Sequence, residues 1–424
     1  MTPRKANTVK DSTVLIRDYG KFGPMIAERL AEEFGRVILY THWEKEFPKP
    51  VDVEVGVGCL GVERTDDFFG SVKEADTIMF TDLYEAGLQA DLRERGFNVW
   101  GMGGAEELEK NRWLFRNWLQ ENHMARAASE RIVGMTALKA HLKDKTHKFV
   151  KVSKFRGIGE TFEFQSWKLN ERRLKRLEVD LGIRSEHQEF IVDDPIDDAL
   201  EFGYDGYTVD GEFPKIACWG LEKKDEVHIE TVTLYKYLPE QLQHANEELA
   251  KYFKKYSSRG IFATEVRIDK QGIGYFTDPC IRIPYPPIEG MLMIYKNWGH
   301  IVFHGARGEL VEPEPIDQYF ALCSLHSDYS VDEDYALEIP KKDYDFVKIP
   351  DKTVQDGTVI ALPRRGDWDL VGRVVGIGST PEQAVKECTE RAKRIKGDKL
   401  TESSDDLKDA LACIAKAKKQ GINF

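Results

Sequence analysis

The chain has 424 residues, and its 61 Lys and Arg against 73 Asp and Glu leave a formal net charge of −12. That length exceeds what one hydrophobic core fills, so two to four domains are expected, and the acidic balance argues against general nucleic-acid or anionic-membrane binding. No run approaches ~18 apolar residues, Met1–Asn7 lacks the apolar run of a signal peptide, and six cysteines contain no CxxC pair; cytoplasmic residence is expected, with neither a disulfide framework nor a zinc ribbon.

In chain order, residues 13–17 read as a buried strand followed by the turn Asp18 to Pro24. A helix then carries Ile26, Leu30 and Phe34 at four-residue spacing, with Pro24 in its first turn. Strands at 36–40, 77–80 and 98–100 with helical spacers complete a parallel α/β sheet. The first turn has Gly20 and Gly23 but not the full GxGxxG pattern, so a nicotinamide site is the weaker reading. A substrate phosphate or carboxylate can still sit on the helix N-terminus beyond Gly20, Lys21 and Gly23.

Gly101–Ala105 leads into a helix through Glu121 whose apolar stripe (Leu108, Phe115, Leu119) is interrupted by Arg112. Arg112 either meets an anion there or snorkels to the surface. Residues 125–187 read as a second α/β segment, with Lys151 on the strand His147–Val152. The following Lys154–Glu160, with Gly157 and Gly159, suits a phosphate-covering lid or a plain solvated turn. Glu189–Val192 reads as an apolar strand, and 240–256 as an amphipathic helix. Helices at 381–396 and 404–418 flank the C-terminal end of the chain, after a strand at 373–377.

The most telling feature is a hairpin closed by Asp269–Gly272. Period-2 alternation brings Glu265 and Asp278 to one face, roughly 4.5–8 Å apart. Like charges so placed repel unless a hard divalent cation joins them, and Mg²⁺ held by carboxylates and phosphate oxygens is the usual solution in nucleotide chemistry. A surface salt-bridge ladder with Arg267 and Arg282 is the plain alternative. The ten histidines are dispersed, and structural or surface roles are expected of them, His228 included.

Taken in order, Trp100–Glu109 with Arg112 and Arg116, Phe149-Val150-Lys151, Glu189–Val192, the carboxylate hairpin and Gly372–Ala384 resemble the ATP-grasp superfamily, most closely the phosphoribosylamine-glycine ligases. The resemblance implies a multidomain α/β and α+β protein. It would have an N-terminal parallel α/β domain (1–104), an ATP-grasp domain (105–310, small lid lobe about 125–188) and a small C-terminal α+β domain (311–424). It further implies a carboxylate–amine ligase using ATP and Mg²⁺, with Mn²⁺ as an alternative, on small-molecule carboxylate and amine substrates. Lys151, Lys154 and Arg112 would meet the phosphates, the backbone of Glu189, Phe190, Ile191 and Val192 the adenine edge, and Glu201 the ribose, with Asp197 and Asp198 competing for that role. Glu265 and Asp278 match the metal ligands, and Arg282 and Arg267 are the catalytic candidates. Two departures stand out. Cys280 occupies the position of a usual Asn ligand, and a thiol suits Mg²⁺ poorly. That departure favours the alternative of a nucleotide-binding protein without ligase activity, and the Asp18–Gly23 loop, which lacks the ligases' Gly-Gly-Arg-Glu-His run, prompts the other alternative, a ligase attaching an amino acid to a modified nucleotide.

Overall fold

The structure is a computed structural model that describes residues 6–19, 22–41, 54–154, 161–197, 199–223, 227–363, 369–422 and 424. Gly20, Lys21, the lid residues 155–160 and Asp198 therefore lie outside the described residues.

Apolar runs bounded by turn residues form the first sheet, as the alternation of strand and helix patterns requires. Its five strands are all parallel, with Thr13–Asp18 central, Arg36–Thr41 and Val62–Arg64 to one side, and Thr77–Phe80 and Val99–Trp100 to the other. Asp18 and Phe80 lie at the carboxyl ends of neighbouring strands, the edge where open α/β sheets bind ligands.

A small antiparallel lobe follows, ordered Ser129–Val133, Glu189–Asp193, Thr146–Val152, Thr161–Ser166. Val150, Val152, Phe162, Phe164, Phe190 and Leu174 fill its core. Alternation then sends Lys151 to the opposite face, and a one-residue slip would drive its ammonium into that core.

Most of the remaining strands build one nine-stranded antiparallel sheet running from the carboxylate hairpin (Gly274–Cys280 and Arg259–Ile268) through Leu200–Val209, Ile216–Lys223 and Val227–Leu234 to Tyr319–His326 and Leu370–Gly378, and Tyr335–Leu337, Thr358–Ala361 and Lys352–Gln355 form a separate small antiparallel sheet. The sheet is continuous across residue 310. One face packs Phe202, Trp219, Phe253 and Phe262 around helix Glu240–Lys255. The other face packs Tyr207, Val232, Phe320 and Val375 beneath helices Ile288–Ile294 and Trp298–Gly305. Several helix boundaries differ from the sequence expectation: the first helix ends at Ala31, short of Phe34, and the last begins at Leu407 after a 3-10 turn at Ser404–Asp406. The helix after Ala105 breaks at Asn111, whose side chain caps Arg112–Glu121 by accepting from the Leu114 amide, and helix Pro381–Ala392 stops short of Lys396.

Helix Trp298–Gly305 ties the first sheet to the large one through Trp100. A Cβ at Gly305 would lie 2.1 Å from the Trp100 ring, which is itself buried. Gly305→Ala is therefore expected to cost about 1–3 kcal/mol by overpacking, read as a lower urea midpoint at unchanged slope.

Candidate active site

Glu265 and Asp278 are direct cross-strand partners. The register shifts immediately beyond Glu265, because Thr277 is an extra residue on its strand, and the Thr277 hydroxyl donates to the Glu265 carbonyl at 3.0 Å. Direct partners on antiparallel strands project to the same face, with Cβ atoms about 4.5–5.5 Å apart. The turn that sets this pairing is rigid: the Asp269 side chain accepts from the amides of Gln271 and Ile273, and Gly272 supplies a φ of +81°.

Two arginines one helical turn apart on Arg112–Glu121 bridge this hairpin to the small lobe. Arg112, 4% exposed, donates from Nε to the Val152 carbonyl at 3.2 Å and places Nη1 3.7 Å from Asp278. The anion that its interrupted apolar stripe demanded is therefore at hand, and it does not snorkel. Arg116 pairs with Asp193 at 2.6 Å and donates to the Thr277 carbonyl at 3.4 Å. Residues four apart share a helix face, so both guanidiniums look into the same cleft while Phe115 and Trp118 pack against Phe276.

Lys151 completes the cluster, with Nζ 3.6 Å from Asp193. Burial pulls its ammonium down to about 8, reinforced by the charges of Arg116 and Arg112 and opposed by Asp278 and Asp193. Burial raises the Asp193 carboxyl, but Arg116, Lys151 and the Ser129 hydroxyl outweigh it and hold the group below its ordinary value. Arg116→Ala would leave Asp193 buried without its bidentate partner. A loss of about 3 kcal/mol in urea unfolding is expected.

Other expected residues fall elsewhere. Arg267 is the direct partner of Glu201 and pairs with it at 2.7 Å, one row beyond Glu265. Arg282 reaches Glu109 at 3.1 Å and Asp82, just beyond strand Thr77–Phe80 of the first sheet, at 3.6 Å, where the two segments meet. Lys154 is exposed, its amide donating to the Lys110 carbonyl at 2.9 Å. Gly23 opens helix Gly23–Ala31 against the buried Asp18, and a Cβ there would lie 2.8 Å from Asp18 Oδ2. Glu189, Phe190, Ile191 and Val192 occupy a strand paired on both sides, to 130–133 and, from Phe190 onward, to 150–152. Their ladder groups are engaged, and strand pairing ends at Asp193. Cys280 is half-buried, with Sγ 3.7 Å from the Arg282 carbonyl.

Phosphoribosylamine–glycine ligase from Thermotoga maritima superposes with a TM-score of 0.70 at 15% identity, covering 93% of this chain and 99% of its own. The fold is that of the ATP-grasp proteins. Two further ATP-grasp structures extend the likeness. The biotin carboxylase domain of Hydrogenobacter thermophilus 2-oxoglutarate carboxylase, solved with MgADP, ADP and bicarbonate, gives a TM-score of 0.64 at 12% identity over 93% of this chain and 92% of its own. N5-carboxyaminoimidazole synthetase from Staphylococcus aureus, complexed with ADP, gives 0.58 at 14% over 93% and 99%. No protein-family model and no curated protein matches the sequence. Among the described residues, no helix is long and apolar enough to cross a membrane.

Asp193 and Asp82, which the structure brings to this cluster, were not singled out in the sequence reading, and Arg116 and Glu109 entered it only within the motif that carries the resemblance, with no role assigned. The only advance sign was Arg116 at i+4 from Arg112, a second charge on a helix with a strongly apolar side.

Proposed function

We propose that the protein is an ATP-dependent carboxylate–amine ligase that forms an amide through an acyl phosphate and releases ADP and phosphate. The single observation carrying this reading is the direct pairing of Glu265 with Asp278 across the cleft from Lys151, Arg112 and Arg116. The donor set fits a magnesium nucleotide. The two carboxylates offer oxygen donors to a hard cation, and two buried guanidiniums and the partly buried Lys151 ammonium face them at a position where triphosphate oxygens would relieve their mutual repulsion. Bound Mg²⁺ would neutralise charge on the phosphates during transfer.

The chain's own residues position and neutralise. Lys151 and Arg112 hold the phosphates between the lobes, and Arg116 keeps Asp193 and the hairpin in register with them. The adenine edge belongs just beyond the end of strand Glu189–Asp193, toward Ile196, because that strand's ladder groups are paired, the Asp194 amide donates to the Ala128 carbonyl at 2.9 Å and Pro195 has no amide hydrogen. The ribose belongs near Glu201, held in place by Arg267. Arg282, between Glu109 and Asp82, orients the acceptor carboxylate or amine against the carboxyl edge of the first sheet.

The test is ADP release with Mg²⁺-ATP against panels of carboxylates paired with amines. Turnover dependent on one such pair supports a ligase. ATP binding with no turnover on any pair supports the second reading, a nucleotide-binding protein without ligase activity, which Cys280 favours by removing an oxygen donor. Absence of ATP binding defeats both.

A further inference from the structure

The cleft face of the large sheet carries a second constellation, built from donors of another kind. Asp205 on Leu200–Val209 is the direct partner of Cys218 on Ile216–Lys223, and Glu230 on Val227–Leu234 is the direct partner of Gly220. By period-2 alternation Asp205, Cys218, His228 and Glu230 share one face. Donor atoms of Asp205, His228 and Glu230 all lie within 4.8 Å of one another, and the Cys218 thiol lies 2.6 Å from Glu230 Oε2. We propose that these four side chains hold one divalent transition-metal ion of the Zn²⁺ class.

The chemistry of the donors selects the ion. One imidazole nitrogen, two carboxylates and one sulfur make a tetrahedral N, O, O, S set, which suits Zn²⁺ or Co²⁺ and not Mg²⁺. With metal–ligand distances of about 2.0–2.3 Å, tetrahedral donors stand about 3.3–3.7 Å apart, so side-chain rotation alone closes the set. Burial points the same way. Glu230 and Cys218 are 0% exposed, Asp205 3% and His228 4%, and two carboxylates at that depth call for a compensating cation.

The surrounding residues hold the donors still. A Cβ at position 220 would lie 2.3 Å from Glu230 Cγ, so only glycine lets that side chain lie across the sheet toward its neighbours. Glu230 also shares a short hydrogen bond with His228 Nε2, the two side chains at i and i+2 on one strand. Burial and the Glu230 charge push the Cys218 thiol well up, and a Tyr295 hydrogen bond opposes them. A bound cation reverses that balance and makes the sulfur a thiolate. This site is separate from the magnesium pair. The backbones of Glu230 and Glu265 lie in one row across the sheet with Gly220 and Gly203 between them, three strand spacings or about 14 Å apart, while Asp205, the ligand nearest the hairpin, leans its carboxylate over Gly203, the direct partner of Glu265. The proposal does not depend on the ligase reading.

Tag-free full-length protein, purified without chelator, is expected to carry one Zn²⁺ per chain that survives dialysis against excess Mg²⁺. Co²⁺ exchanged into it should give visible d–d absorption and a near-ultraviolet thiolate-to-cobalt band, with the band lost in Cys218→Ser. His228→Ala and Glu230→Gln should each weaken metal retention at least ten-fold, while Asp278→Asn retains the full complement. Cys218→Ser is nearly isosteric and decides the matter spectroscopically should His228→Ala not fold. Failure of folded wild-type protein to retain Zn²⁺ or Co²⁺ overturns the proposal. So does a cobalt spectrum without the thiolate band, or metal that leaves with Asp278→Asn.

Discussion

Asp278→Asn combined with Glu265→Gln is expected to lower nucleotide turnover by on the order of 10³-fold or more and to abolish the Mg²⁺ dependence of ATP binding. Both substitutions preserve shape and remove only charge, so a loss would report the cation and not the hairpin. The two single variants should differ. Asp278 also faces the buried Arg112 guanidinium at 3.7 Å, so Asp278→Asn weakens an ion pair that fixes the helix to the hairpin and should lower thermal stability as well. Its carboxylate keeps 28% of its surface in solvent, which limits that second cost to less than a fully buried pair would show. Thermal unfolding separates the effects. Activity lost at an unchanged midpoint in Glu265→Gln, together with a lowered midpoint in Asp278→Asn, is the expected pattern. Full activity in the double variant would remove the cation from the mechanism.

The hairpin was legible because everything that positions it is local. Asp269 and Gly272 fix the turn, and alternation assigns the faces. Thr277, the extra residue on the return strand, left no mark in the sequence, because a bulge is a property of two strands together. Lys151 was legible through the resemblance, and the structure shows why its strand can present it: Val150 and Val152 fill the small lobe's core, so alternation turns Lys151 to the other face. Residues whose meaning depends on a distant segment were not. Arg112 was ambiguous until Asp278, far along the chain, appeared opposite it. Arg267 read as a catalytic candidate until its register with Glu201 paired the two. The strand Glu189–Val192 had the right apolar character for a position beside adenine, but only the sheet order showed it to be internal, with strands on both sides. His228 and Glu230 sit at the i, i+2 spacing that puts both on one strand face, a signal present in the sequence. Asp205 and Cys218, which give that spacing its meaning, come from two other strands.

Lys151→Met is expected to weaken ATP binding by roughly 10²–10³-fold, and its pH behaviour distinguishes a phosphate-binding ammonium from a structural one. In the free protein the group titrates at about 8, against an ordinary value near 10.4. The apparent second-order rate constant for ATP should therefore fall as pH rises through about 8. The rate at saturating ATP should hold to higher pH, because phosphate oxygens favour the charged form and restore its pKa. Binding measured calorimetrically above pH 8 should show proton uptake in buffers of different ionisation enthalpy, absent from Lys151→Met. The stability consequence has the opposite sign. A lysine whose folded pKa is depressed binds fewer protons in the folded state than in the unfolded state between about 8 and its ordinary value. Stability contributed by this group therefore rises with pH across that window, and below it the buried charge costs the fold up to about 3 kcal/mol, from the shift to about 8. Lys151→Met should then be more stable than wild type at pH 7 while binding ATP far less well, the trade expected where a fold stores an unfavourable charge for its substrate. A variant both less stable and unaltered in ATP affinity would place Lys151 in the scaffold and leave the phosphates to the two arginines.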